Sequence, residues 1–247
     1  MKRILLLMVA ATFLFSVSFA LGQNIPMTFN GSYQGGNALG AGAGFYDGTI
    51  NGVNVGPGQA SPGMICDDYY DHIGPPNSWL ATGYQVSTLN AGNLAADTLF
   101  GVAGGWGTVG LTALQGYEAL AYLANDMFAH GVGNQALQSS ISQAMWYLTS
   151  NANATVPNPG IALGSLDLQA QDLVSFVQNV SNLSALSTYT GLWLYTQPFA
   201  PPGVQEMFGQ IPVPEGGAAL MYLLLAGVTC FGAMFYSRRQ NAMGGVA

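Results

Sequence analysis

The segment from Gly216 to Tyr236 carries no charged side chain, and it is bracketed by Val213-Pro214-Glu215 on one side and Ser237-Arg238-Arg239 on the other. At about 1.5 Å rise per residue, a helix of that length matches the hydrocarbon core of a bilayer. A transmembrane helix is therefore predicted over 216–236. Arginines bias their end of a span to the cytoplasm, so Arg238 and Arg239 predict that everything N-terminal to Val213 lies across the membrane.

The start of the chain agrees with export. Lys2-Arg3 is followed by an apolar core from Ile4 to Phe15 and by small residues at Ser18 and Ala20, which is the layout of a secretory signal peptide. The predicted organisation is a signal peptide over 1–22, an exported ectodomain over 23–209, and a C-terminal segment over 210–247 that contains the membrane helix. The ectodomain is long enough for one domain with a substantial core.

The four Lys and Arg of the chain are Lys2, Arg3, Arg238 and Arg239, so the region from Gln23 to Val213 has no basic side chain except His72 and His130. Of the 11 Asp and Glu, all but Glu215 fall between Asp47 and Glu206. A phosphate-rich partner needs Lys or Arg to neutralise it, which excludes nucleic acid, nucleotides and anionic headgroups as ligands of the body. Glycine, 34 of 247 residues, is about twice as frequent as usual and suits a loop-rich domain with strands. Cys230 lies in the apolar tail, so Cys66 is the only cysteine of the exported body and an internal disulfide is excluded there.

Along the body, Gly44 to Ile50, Asn51-Gly52 and Val53-Asn54-Val55 read as a β-hairpin, because Asn-Gly suits the two positive-φ positions of a type I′ turn. Gly63 to Ile73 is a strand candidate with Ile65, Asp67 and Tyr69 on one side and Met64, Cys66, Asp68 and Tyr70 on the other. Asp67, Asp68, Asp71 and His72 admit a hard-cation reading, but the plainer one is a strand leading into a polar turn, and no metal or other cofactor is expected. Ser78 to Val86 is a further strand, and the interval from Leu89 to Gly110 is ambiguous.

Three helices follow. The first, 111–128, has Leu114, Tyr117, Ala121, Ala124 and Phe128 on one stripe, with His130 at its C-terminal end. The second, 135–149, buries Leu137, Ile141, Ala144 and Leu148 while Trp146 points nearly opposite, so it is expected to be covered on two sides with Gln143 partly buried. The third starts with Ser165 as N-cap and Asp167 in its first turn. Thr190–Gln197 and Gln205–Phe208 are late strands. The predicted fold is α+β: a small antiparallel β-sandwich or barrel-like layer with a three-helix insertion.

Two resemblances add to this reading. Val213-Pro214-Glu215, the short apolar helix and Arg238-Arg239 resemble the PEP-CTERM sorting signal of bacterial surface proteins. That likeness implies an exosortase-like protease that cuts near the box, with the membrane as a partner only before processing. Ile65-Cys66-Asp67 on an early strand and Ser142-Gln143-Ala144-Met145-Trp146 on a later helix resemble the thioester domains of bacterial surface proteins. The resemblance implies that the Cys66 thiolate attacks the Gln143 carboxamide, expels ammonia and leaves an internal thioester that acylates a target surface. Tyr69, Tyr70, Trp146 and Tyr147 would shield the bond from water beside Asp67, and a body without lysine has no amine of its own to consume it.

No Gly-x-Ser-x-Gly elbow and no His-Glu-x-x-His is present, so an enzyme is not expected. The expected function is that of a cell-surface or extracellular-matrix protein, a covalent adhesin if the thioester forms. The alternative is a structural or carbohydrate-binding module without one. Either way the expected partners are surface polysaccharide or extracellular matrix, and not nucleic acid.

Overall fold

The computed structural model describes residues 24–32, 39, 42–67, 77–101, 105–152, 160–196 and 206–210. All of them belong to one compact unit, Gly22–Val213. The predicted signal peptide, the predicted span 216–236 and the sorting residues Val213, Pro214, Glu215, Arg238 and Arg239 lie outside the described residues. Among those described, no helix is long and apolar enough to cross a membrane.

The chain is α+β. Seven antiparallel strands form one sheet: β1 (Asn24–Ser32), β2 (Tyr46–Ile50), β3 (Val53–Val55), β4 (Ile65–Cys66), β5 (Asn77–Gln85), β6 (Trp193–Thr196) and β7 (Met207–Gly209), in the order β3-β2-β1-β5-β6-β7-β4. The predicted hairpin is β2–β3, and its turn has Asn51 at φ 52° and Gly52 at φ 76°. The sheet curls until its far edge returns to β2. Tyr46 and Met64 pair there, with N–H to carbonyl distances of 2.8 and 2.9 Å in the two directions. This is the barrel-like alternative of the predicted layer.

Curling gives the sheet an inner and an outer face, and the period of two sorts the side chains between them. Ile25, Met27, Phe29, Tyr46, Ile50, Met64, Cys66, Ala81, Tyr195 and Met207 form the inner core. Their alternate neighbours Phe45, Ile65, Leu194 and Phe208 join a second, larger core with the helices. Sequence reasoning did not identify β1. Its alternating Ile25, Met27 and Phe29 were the available signal, and Pro26 argued against it, since proline lacks a ladder donor. The Pro26 carbonyl still accepts from Asn51 N at 2.8 Å.

The helices are inserted between β5 and β6: the single turn α1 (Leu94–Asp97), then α2 (Ala113–His130), α3 (Gln135–Ala152) and α4 (Leu168–Gln178). A capping box starts α2, in which Thr112 Oγ accepts from Gln115 N and Gln115 Oε1 accepts from Thr112 N. α3 is buried on both of the sides expected, including Ile141, Ala144, Trp146 and Leu148. The start of α4 differs from expectation: Asp167, not Ser165, is the N-cap, accepting from Ala170 N at 2.7 Å. Ser165 instead closes a 3₁₀ turn, Leu163–Ser165. The strand expected over Gly63–Ile73 is only Ile65–Cys66 among the described residues.

Gly116 of α2 lies against the indole of Trp106, which is buried and donates to the Phe100 carbonyl at 2.8 Å. A Cβ on Gly116 would stand 2.3 Å from that ring. Gly116→Ala is therefore expected to destabilise the domain by about 1–3 kcal/mol despite alanine's higher helix propensity. Urea denaturation of the two proteins measures it.

Candidate functional site

Cys66 and Gln143 are the pair that the thioester resemblance singles out, and their surroundings follow from the two cores. On β4 the side chains alternate, so Ile65 faces the helices and Cys66 faces the inside of the curled sheet. Cys66 is 1% exposed and packs in the inner core with Tyr46, Met64, Tyr195 and Met207. Burial, with a smaller contribution from the nearby Cys66, pushes the Tyr46 phenol well above its ordinary range. Tyr46 stays neutral and its hydroxyl donates to the Gly42 carbonyl at 2.8 Å.

Helix α3 crosses the outer face, and one polar stripe of it is fastened to strand backbone. Ser142 Oγ accepts from Gly44 N at 2.9 Å, and Gln138 Oε1 accepts from Phe45 N at 3.4 Å while its Nε2 donates to the Gly131 carbonyl. Further along, Trp146 Nε1 donates to the Cys66 carbonyl at 3.1 Å and Thr149 Oγ donates to the Asp67 carbonyl. These bonds satisfy backbone groups just before β2 and at the end of β4, and a buried backbone group without a partner is costly. Sequence reasoning singled out Trp146, named Ser142 only as the start of its motif, and gave no site role to Gln138 or Thr149. The recurrence of polar side chains at 138, 142 and 149 on one face of the helix was the available signal.

Gln143 lies on a different side of α3. At 100° per residue it is about 60° from Trp146 and about 120° from Thr149 around the helix. Its amide is held by the start of α4: Oε1 accepts from Asp167 N at 3.0 Å, and Nε2 donates to Asp167 Oδ2 at 2.5 Å and to Ser139 Oγ at 3.1 Å. Ser140 Oγ adds a bond to the same carboxylate at 3.0 Å. Gln143 is 1% exposed, so the amide expected to be partly buried is fully so. The structure thus brings Trp146 to the Cys66 backbone and Gln143 to Asp167. The Cys66 side chain packs in the inner core of the sheet.

The other expected site residues divide as follows. Tyr147 is half-buried at the margin of the helical core. Tyr69 and Tyr70, like Asp68, Asp71 and His72 of the cation reading, lie outside the described residues. Among those described, no group of three His, Cys, Asp or Glu is placed to hold a metal. His130 ends α2, exposed, with its Nδ1 2.7 Å from Asp126 Oδ1. Asp67 is fully buried and lies with Glu206 and Tyr117, neither of which sequence reasoning placed in a site. Glu206 Oε1 accepts from the Tyr117 hydroxyl at 2.6 Å and Oε2 accepts from Leu99 N at 2.9 Å.

The Asp167 carboxylate caps α4 and anchors Gln143 and Ser140 together, so its removal leaves several buried groups without partners. Asp167→Ala is expected to lower stability by about 1–3 kcal/mol. Asp167→Asn, which can still cap, should lower it less, and thermal or urea unfolding of both variants checks the order.

Comparison with protein-family models, curated proteins and solved structures returns no match to this chain.

Proposed function

We propose that this chain is an exported cell-surface or extracellular-matrix protein, sorted through its C-terminal segment, whose folded body is a structural module that contacts surface polysaccharide or matrix without a covalent bond. The observation that carries the reading is the partition of charge and hydropathy. Every Lys and Arg stands in the two terminal segments beside an apolar run, and none stands between Gln23 and Val213. Before processing the tail would hold the protein in the membrane, and an exosortase-like protease would cut near Val213-Pro214-Glu215.

The covalent version has one contact in its favour: Trp146 fastens α3 directly to the Cys66 strand. A thioester would require the Gln143 amide to give up its bonds to Asp167 and Ser139. We therefore favour the non-covalent module. Incubation with methylamine separates the two, since only a thioester yields an amine adduct at Gln143.

Intact mass of material recovered from the cell surface tests the sorting reading. The expected mature chain begins after Ala20 or Gly22 and ends near Pro214-Glu215. A surface form that still carries Arg238 and Arg239 would make the tail a plain membrane anchor, and a protein retained in the cytoplasm would overturn export altogether.

A further inference from the structure

Asp67 and Glu206 face each other across the β4–β7 pair. The register Ile65↔Phe208 and Cys66↔Met207 continues one step to them, and Asp67 N reaches the Glu206 carbonyl at 3.4 Å. Both side chains point away from Cys66 and Met207, toward the face that α2 covers. Directly opposed residues on an antiparallel pair have Cβ atoms about 5 Å apart, and like charges there repel. Asp67 is 0% and Glu206 1% exposed, so water does not screen them.

A buried carboxylate ordinarily needs a cation beside it, and two need more. This body has no lysine or arginine to supply one. What surrounds the pair is neutral: the Tyr117 hydroxyl from α2, the Leu99 amide from the segment after α1, and Thr196 from β6. From α3, the Thr149 hydroxyl donates to the Asp67 backbone carbonyl. Tyr117 is the one other titratable group of the described residues facing the pair. Its phenol is pushed well above its ordinary range by burial and then by the two carboxyls, so it remains a neutral donor. It also accepts from Phe100 N at 3.0 Å, which fixes its orientation toward Glu206.

We propose that Asp67 and Glu206 share one proton, so that a single O–H···O⁻ bond joins β4 to β7 and makes the closure of the domain acid-strengthened. With the proton present, one carboxyl donates and the other accepts. When it leaves to solvent, both are acceptors, the bond is lost and two like charges face each other without water. The direction of titration agrees. Burial raises the Glu206 carboxyl above its ordinary range, and the donors at Leu99 and Tyr117, with the neighbouring Asp67 and Thr196, bring it only part of the way back.

The consequence for stability has a definite sign. A glutamate in the unfolded chain takes up its proton near pH 4.3, so a folded pair that holds a proton to higher pH binds it more tightly than the unfolded chain does. The stabilisation is full below that value and is lost as pH rises through the titration of the folded pair. Across that window the folding constant falls by up to about tenfold per pH unit.

Two measurements on the purified protein test this. The infrared spectrum at neutral pH should contain the C=O band of a buried protonated carboxyl, which disappears in E206Q and in D67N. Urea midpoints measured from pH 4 upward should fall with pH in the unmodified protein and vary less in E206Q, whose amide keeps the shape and the hydrogen bonds without the titration. Absence of the band in the unmodified protein overturns the proposal even if neither variant folds, and so does an E206Q profile as steep as that of the unmodified chain.

Discussion

Two hydrogen bonds between Tyr46 and Met64 close the sheet on itself, and the placement of Cys66, Asp67 and Glu206 follows from that closure. An open sheet would have two faces of similar standing. A curled one has an inside, filled by Ile25, Met27, Ile50, Tyr195 and their neighbours, and an outside that the helices cover. The period of two then decides which side each residue of β4 and β7 takes. Cys66 and Met207 go inward, while Ile65, Asp67, Glu206 and Phe208 go outward against α2 and α3. The single thiol of the body and its pair of buried carboxyls are thereby separated by the thickness of one sheet, although Cys66 and Asp67 are adjacent in the chain.

The same arrangement explains why α3 is polar where it is buried. The backbone just before β2 and at the end of β4 has groups that α3 side chains take up. Ser142, Gln138, Trp146 and Thr149 reach them. Gln143, one residue from Ser142, faces α4 and is spent on the Asp167 cap. A body without lysine or arginine cannot build this framework with Lys or Arg ion pairs, and it uses hydroxyls, amides and helix caps in their place.

Much of the fold was legible in the sequence because its signals were local. Asn51-Gly52 announced the β2–β3 turn, the stripe from Leu114 to Phe128 announced α2, and the alternation around Cys66 placed Met64 and Cys66 together and Ile65 opposite. Position in space was less legible. The pairing of Tyr46 with Met64 is a long-range choice that no spacing encodes, and it sets what lies within reach of Cys66. Gln143 was singled out for its spacing from Trp146, yet the rotation of α3 about its axis, fixed by Thr149 and Ser142, turns its amide to Asp167. Glu206 was invisible as a site residue because its significance depends on the register of β7 with β4. Asp167 and Ser165 are equally suitable caps by type, and the burial of Leu166 between them decides in favour of Asp167.

Closure of the sheet is tested most directly by native-state hydrogen exchange at the Tyr46 and Met64 amides. The account predicts that both exchange as slowly as the amides of the central β1–β5 pair, because the Tyr46–Met64 bonds open only when the whole domain unfolds. Exchange of these two amides at the rate of an open strand edge, with β1–β5 still protected, would show that the sheet does not close and that Cys66 has no enclosed inner face to occupy.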